Sequence, residues 1–289
     1  MASESLTKVQ QLSKKLLAAG DVQLVLGFAE HELDGTAVPL FARNEDDVSR
    51  MKWDSSCSPI LAKYLLEVDG PTALVAKPCD VRAVVLYLTE NQLRRDDVFL
   101  IGMECPRMKD EHGRILPACA ECTAVTPPLY DELVPTEADA NAEEHALERM
   151  SSADRAARLN EELRKCILCF SCRQACVGCY CPTCFIDRNS PDWHSSEPDM
   201  GSKWLFHMGR TQHLTGRCVE CGACERVCPS GVDIRFLIQE VTDAVADLYD
   251  YRTGMDPEQT PALVSYRPDD REVGFLGGEA DDACSCNGR

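Results

Sequence analysis

The sequence lacks several common signatures. It contains no Gly-x-Gly-x-x-Gly, no P-loop and no His-Glu-x-x-His, and the first of these absences argues against an ordinary Rossmann nicotinamide site. No uninterrupted apolar stretch approaches the roughly 18 residues needed to cross a bilayer. Residues 1–8 have no apolar core of the kind found in signal peptides. We therefore expect a cytoplasmic chain without a membrane span.

A basic surface is also missing, because the 289 residues carry a net charge of −18. Phosphate backbones require clustered Lys and Arg, so nucleic-acid binding is disfavoured. The negative charge is concentrated in residues 131–163, with ten acidic and three basic residues, and in residues 254–289, with eight and three. The simpler interpretation is that these segments are solvated surface. The more specific interpretation is that they form a docking surface for a basic partner.

Cysteine is abundant, with 18 residues. In a secreted protein such a count would suggest disulfides, but disulfide scaffolds are usually short. In a reducing compartment, clustered cysteines more often bind metal. The count therefore predicts metal binding.

Two cysteine runs share one spacing, C-x2-C-x2-C-x3-C, which is typical of paired [4Fe–4S] clusters. The first run is Cys166, Cys169, Cys172 and Cys176, and the second is Cys218, Cys221, Cys224 and Cys228. Pro229 follows the second run, whereas Val177 follows the first, and 41 residues separate the two runs. A zinc site usually takes two separated C-x2-C pairs and does not need a third cysteine at the same interval.

Cubane geometry predicts an exchange of ligands between the runs. Three cysteines at two-residue intervals wrap around one cluster, and the fourth enters the next helix and binds the other cluster. The predicted ligands of the first cluster are Cys166, Cys169, Cys172 and Cys228. Those of the second are Cys218, Cys221, Cys224 and Cys176.

Further cysteines fit no simple two-cluster protein. They are Cys79, Cys105, Cys119, Cys122, Cys179, Cys181 and Cys184. Either they bind an additional cluster, or they are small buried residues. Cys79 lies at a predicted helix N-terminus, where we expect its pKa to be lowered. We expect Cys57 in the core, and Cys284 and Cys286 in a loose tail.

The pattern of apolar residues predicts an α/β fold for residues 1–130, because strand, turn, helix and strand alternate as in a βαβ unit. The predicted helices are 4–19, 58–68, 81–88, 153–165 and 232–249, and the predicted strands are 22–28, 37–42, 72–76 and 98–102. After an acidic linker at 131–152, we expect a bacterial dicluster ferredoxin-like α+β module at 153–250. A poorly ordered acidic tail is expected at 251–289.

Several of these motifs resemble a known family. Residues 77–83, Lys-Pro-Cys-Asp-Val-Arg-Ala, precede the Gly102-to-Cys105 turn and the Cys119-x2-Cys122 pair, and the dicluster runs follow. This order is similar to the β subunits of deazaflavin (coenzyme F420)-reducing hydrogenases and formate dehydrogenases. The segments 179–185 and 216–222 resemble short, bacterial-type members of that group. The resemblance covers residues 70 to 250.

The resemblance implies an electron-transfer subunit of an anaerobic oxidoreductase complex. It would relay electrons between a catalytic partner, such as a formate dehydrogenase, hydrogenase or heterodisulfide-reductase-like subunit, and a flavin or soluble carrier. Larger members bind FAD, so the turn formed by Lys77, Pro78, Cys79 and Asp80 is a candidate flavin or cluster site. Two alternatives remain open: a flavin enzyme that itself reduces a soluble carrier, and a structural or regulatory metal-binding protein.

Overall fold

A computed structural model describes residues 4–138, 141–142, 150–188 and 197–262. Five strands form one sheet in the order β2-β1-β3-β4-β5, in which only the β1–β2 pair is antiparallel. The strands are β1 (Leu24–Glu30), β2 (Ala37–Ala42), β3 (Thr72–Ala76), β4 (Val98–Met103) and β5 (Glu132–Val134). The fold is therefore mixed α/β with a mostly parallel sheet, as the alternating pattern predicts.

Nine α-helices lie within the described residues. They are α1 (Glu4–Ala19), α2 (Glu45–Ser49), α3 (Pro78–Thr89), α4 (Pro117–Ala120), α5 (Ser152–Lys165), α6 (Ser171–Gln174), α7 (Met200–Leu214), α8 (Ala223–Arg226) and α9 (Ile234–Tyr249). Ala62–Leu66 forms a 3₁₀ helix, so the longer helix expected at 58–68 is wrong. None of the described helices is long and apolar enough to cross a membrane.

The central strands are apolar on both faces because helices and loops cover both sides. All five residues of β3 are buried, which is typical of a parallel sheet. The helix α3 continues directly from β3 and packs on the sheet, with Val81, Val84 and Tyr87 almost fully buried. The start of α3 therefore lies at the carboxyl end of a central strand, where open parallel sheets usually carry their functional groups.

The cysteine-rich part, within residues 150–188 and 197–250, consists of helices and loops. The small sheet expected of an α+β module is not present among these described residues. A second apolar cluster, including Phe206, Leu214 and Ile238, forms its core. Val177, Val219 and Ala223, which flank the cysteines, pack into the apolar core of the sheet. The two parts of the chain are therefore in direct contact.

The packed chain extends beyond two of the expected boundaries. The strand β5 pairs with β4 inside the segment expected to begin the linker. Tyr251 and Thr253, at the start of the expected tail, are buried. Cys284 and Cys286 lie outside the described residues.

Candidate metal centre

The two cysteine runs adopt the same backbone conformation. Leu168 and Phe170, two and four residues after the first cysteine of the first run, have φ of 53° and 60°. Glu220 and Gly222 hold the same positions in the second run, with φ of 57° and 66°. Positive φ is uncommon for non-glycine residues. Its recurrence at matched positions indicates that both loops curl tightly around an equivalent space.

Backbone amides point at the sulfurs in both loops. The Leu168 N–H donates to Cys166 Sγ, with an N–S distance of 3.3 Å. In the second loop, the Glu220 N–H donates to Cys218 Sγ over 3.4 Å. Hydrogen bonds of this kind favour the thiolate, which is the metal-binding form of cysteine. The repeated loops therefore share both their shape and their hydrogen bonding.

The last cysteine of each run lies beside the other run. Burial raises the pKa of Cys166, and the nearby Cys228 thiolate adds to that rise. Burial likewise raises the pKa of Cys218, with the Cys176 thiolate as the next cause. Cys176 also contributes to the raised pKa of Cys221. Cys228 is therefore near the first run, and Cys176 is near the second.

The donor set of these loops fits a [4Fe–4S] cluster. Thiolates are soft ligands that iron–sulfur clusters select, and the amide N–H groups described above are suitable donors to their sulfurs. In the described part of the chain, no three His, Cys, Asp or Glu side chains converge as they would around one bare metal ion.

Further cysteines lie near one another at the edge of the sheet. Burial raises the pKa of Cys105 to about 11, and the thiolates of Cys119 and Cys122 add to it. Cys79 has Cys221 and Cys105 among its charged neighbours. The start of α3, the end of β4 and the short α4 supply these side chains. Cys105 is therefore a neighbour of Cys79, Cys119 and Cys122, and Cys79 is a neighbour of Cys221 in the second loop.

The expected lowering of the pKa of Cys79 is wrong. Its pKa lies well above the usual value because burial outweighs other effects, with Asp80 raising it further and Lys77 lowering it. A helix N-terminus is therefore insufficient here to ionise the thiol. A bound metal would be needed to favour the thiolate.

Lys77 and Asp80 form a buried support for this turn. The Lys77 Nζ lies 2.7 Å from Asp80 Oδ2 and donates to the Pro59 carbonyl over 2.8 Å. Asp80 Oδ1 accepts from the N–H groups of Leu61 and Ala62 over 2.6 and 3.0 Å. Both charges are therefore engaged inside the protein, and this arrangement favours positioning of Cys79 over contact with a flavin.

The remaining extra cysteines, Cys179, Cys181 and Cys184, line a cavity of about 430 Å³. Arg173 and Arg217 also line it. The Cys179 and Cys176 side chains are hydrogen-bonded, which lowers the pKa of Cys176 and raises that of Cys179. These three cysteines therefore adjoin the predicted ligands of the second cluster through Cys179.

Two buried side chains of α7 reach the cysteines. His207 Nε2 lies 3.3 Å from Cys166 Sγ, and burial, with a smaller effect of Arg210, lowers its pKa to about 4. A neutral imidazole can donate its Nε2–H to sulfur. The second side chain is that of Arg210. The sequence does not predict its place beside the cysteines, because an arginine inside an amphipathic helix gives no local signal.

The chain is similar to several known proteins. Residues 212–232 match the model of the family described as "4Fe-4S binding domain". The chain is 21% identical to F420-dependent formate dehydrogenase subunit beta of Methanocaldococcus jannaschii, over 86% of this chain and 90% of that protein. It is 32% identical to F420-dependent formate dehydrogenase 1 subunit beta of Methanococcus maripaludis, over 34% of this chain and 26% of that protein.

Among solved structures, a chain of the F420-reducing [NiFe] hydrogenase complex from Methanosarcina barkeri is similar over 38% of this chain and 43% of its own length. The TM-score is 0.31 and the identity 16%. The chain is therefore similar to beta subunits of F420-dependent formate dehydrogenases, as its motifs indicate, and it contains a match to the 4Fe-4S binding domain.

Proposed function

We propose that this chain is an electron-relay subunit that holds two [4Fe–4S] clusters in a ferredoxin-like module. The first would be bound by Cys166, Cys169, Cys172 and Cys228, and the second by Cys218, Cys221, Cys224 and Cys176. The observation that carries the proposal is the duplicated loop conformation, with each run's last cysteine beside the other run. A relay needs neither a general base nor a substrate pocket, so the two cysteine loops are sufficient for it.

A third [4Fe–4S] cluster would be held by Cys79, Cys105, Cys119 and Cys122. This part of the proposal is supported by the electrostatic influence of Cys105 on Cys79 and of Cys119 and Cys122 on Cys105. Cys179, Cys181 and Cys184 supply only three thiols, so they are the weaker candidates for an additional cluster.

The three sites would form a continuous path. Cys172 of the first loop has Cys224 of the second as a neighbour, and Cys221 adjoins Cys79. When bound, the clusters supply one-electron chemistry. The chain supplies thiolate ligands, amide donors and burial, which together tune potential and exclude water.

The similarity to F420-dependent beta subunits suggests partners for such a relay. We infer a cytoplasmic complex with a formate dehydrogenase, hydrogenase or heterodisulfide-reductase-like subunit, and a flavin or soluble carrier at the other end. The acidic segments 131–163 and 254–289 would suit a basic partner surface.

A flavin enzyme is the second candidate function. A cavity of about 650 Å³, lined by Lys63, Arg94 and Tyr180 among others, favours it, since this volume is typical of ligand sites. FAD bound there would make the chain an oxidoreductase in its own right. Flavin released on denaturation would distinguish this function from a simple relay.

Iron and acid-labile sulfide, measured anaerobically with flavin and zinc, test the proposal. Three clusters require about twelve irons per chain. Cys79→Ala should lower the count to about eight, because it removes one ligand of the third cluster. Cys57→Ala is the control, since Cys57 is a buried cysteine whose thiol donates to the Lys52 carbonyl.

The outcomes separate the alternatives. Wild-type protein without sulfide would refute the relay, and zinc alone would favour a structural or regulatory metal-binding protein. An unchanged iron count in Cys79→Ala would refute the third cluster and leave the other two standing.

A further inference from the structure

Arg210 is a buried cation between the two cysteine loops. Its side chain projects from α7, and the residue is 3% exposed. The guanidinium donates through Nη2 to the carbonyl of Cys172, over 3.3 Å. It also lines a small cavity together with Cys176 and Cys224, and its charge acts to lower the pKa of Cys176, Cys179 and Cys224. One guanidinium therefore lies beside both loops.

The charge of Arg210 has no carboxylate partner among the described residues. Two other arginines near the loops differ, since Arg217 pairs with Glu90 at 2.7 Å and Arg82 pairs with Glu220 at 2.8 Å. The Nε of Arg210 also has no hydrogen-bond partner in the described part of the chain. A buried arginine remains protonated and costs free energy unless anions surround it. The anions available here are thiolates.

We propose that Arg210 is a positioning residue that raises the reduction potentials of both dicluster centres. This inference rests on the proposed function, because it needs clusters at the two loops. Reduction adds negative charge to a cluster and its thiolates, and a fixed cation in a low-dielectric interior stabilises the added charge. Proximity to Cys172 on one side and to Cys176 and Cys224 on the other lets a single cation act on both centres.

Redox titrations followed by electron paramagnetic resonance test the proposal. In Arg210→Gln, reduction of both clusters should become at least tenfold less favourable, which is about 59 mV for a one-electron couple. Arg210→Lys keeps the positive charge and should shift the two reduction potentials less. Arg158→Gln is the control, because it makes the same change in net charge at an arginine paired with Asp233.

A second pair of variants keeps Arg210 in place. Cys179→Asp gives the guanidinium a carboxylate partner, and Cys179→Asn is its uncharged match. We expect the aspartate variant to lower both potentials relative to the asparagine variant. These variants decide the question if Arg210→Gln does not fold.

Iron and sulfide are measured on every variant. Intact clusters with equal potentials in Cys179→Asp and Cys179→Asn, or in wild type and Arg210→Gln, would overturn the role of Arg210 and leave the relay intact. Absence of sulfide from the wild type would instead overturn the proposed function itself.

Discussion

At the scale of single residues, the Lys77–Asp80 pair sets the position of Cys79. Both side chains are almost fully buried, at 1% and 0% exposure. Asp80 also fixes the N–H groups of Leu61 and Ala62, which open the 3₁₀ helix. One carboxylate therefore joins two segments that are distant in sequence.

Asp80→Asn should destabilise the protein strongly. The amide keeps the shape and can still accept from Leu61, but Lys77 becomes an unpaired buried charge. Breaking a buried pair costs about 3–5 kcal/mol. The urea midpoint, followed by far-ultraviolet circular dichroism under anaerobic conditions, measures the change.

Asp187→Asn is the matched control. Asp187 pairs with Arg173 at 2.7 Å, but its side chain is 46% exposed. Pairs of this kind contribute less than about 1 kcal/mol. Equal midpoints for the two variants would show that the burial of Lys77 does not matter.

At the scale of elements, the second cysteine loop depends on a close approach to α4. Gly222 has φ of +66°, and a Cβ added there would lie 2.5 Å from Ala118 Cβ. The matching residue of the first loop, Phe170, carries a side chain at φ of 60°. Glycine is therefore required in the second loop by its contact with α4 rather than by φ alone.

Gly222→Ala should remove the second cluster, with a loss of at least about four irons. The backbone cost of left-handed φ is about 1–2 kcal/mol, and the contact with Ala118 adds to it. Gly231→Ala is the control, because Gly231 has φ of +58° and nothing within 4 Å of an added Cβ. Similar iron losses in both variants would show that the left-handed φ, rather than the contact with Ala118, is responsible for the loss.

Glu162 joins α5 to the start of α9 in a pH-dependent way. It accepts from Lys165 Nζ at 2.7 Å and from the Asp233 N–H at 2.8 Å. Burial tends to raise the pKa of Glu162, but these hydrogen bonds outweigh it and the net pKa is lowered. Because the pKa is lower in the folded state, the stabilisation is present above the unfolded pKa and is lost as pH falls through the folded one.

Glu162→Gln should therefore lower the free energy of unfolding by about 1 kcal/mol at neutral pH. The difference from wild type should shrink as pH falls below the ordinary glutamate pKa of about 4.3 and vanish once pH has passed the lowered pKa of the folded state. Urea midpoints of both proteins between pH 7 and pH 3 measure it. A difference that stays constant with pH would contradict an ionic role.

The pattern of apolar residues predicts a helix or strand well where interactions within that segment determine its conformation. Helix 4–19 and strands 37–42 and 72–76 have the observed bounds, because their apolar spacing matches the buried faces. The segment 58–68 forms only a short 3₁₀ helix because Asp80 binds the N–H groups of Leu61 and Ala62. No pattern within that segment carries this information.

The same division holds for the candidate site. Cysteine spacing predicts the two loops because each loop is built from adjacent residues. Burial of Cys79 and the contacts of Arg210 depend on how α3 and α7 pack, so the sequence does not reveal them. The pKa of Cys79 was therefore predicted in the wrong direction.

At the scale of the whole molecule, three arginine–glutamate pairs join the cysteine-rich part to the sheet. They are Arg82–Glu220, Arg217–Glu90 and Arg235–Glu121. The segment that follows α9 contacts α3, where the Thr253 carbonyl accepts a hydrogen bond from Arg82 Nε over 3.0 Å. Because Arg82 lies on α3 with Cys79 and Glu220 precedes Cys221, we expect the Arg82–Glu220 pair to hold the two ends of the proposed path together.

Arg82→Gln should loosen this contact without removing a cysteine. Glu220 would still pair with Arg252 at 3.0 Å. We therefore expect the free energy of unfolding to fall by about 2 kcal/mol, less than the ~3–5 kcal/mol that breaking a fully buried pair costs. Hydrogen–deuterium exchange of residues 251–254 and of α3 should be faster, because local opening becomes easier. Arg94→Gln, at an exposed position beyond α3, is the control. If exchange in both segments matched wild type, other contacts would have to hold the two parts together, and the path from Cys79 to Cys221 would not depend on Arg82.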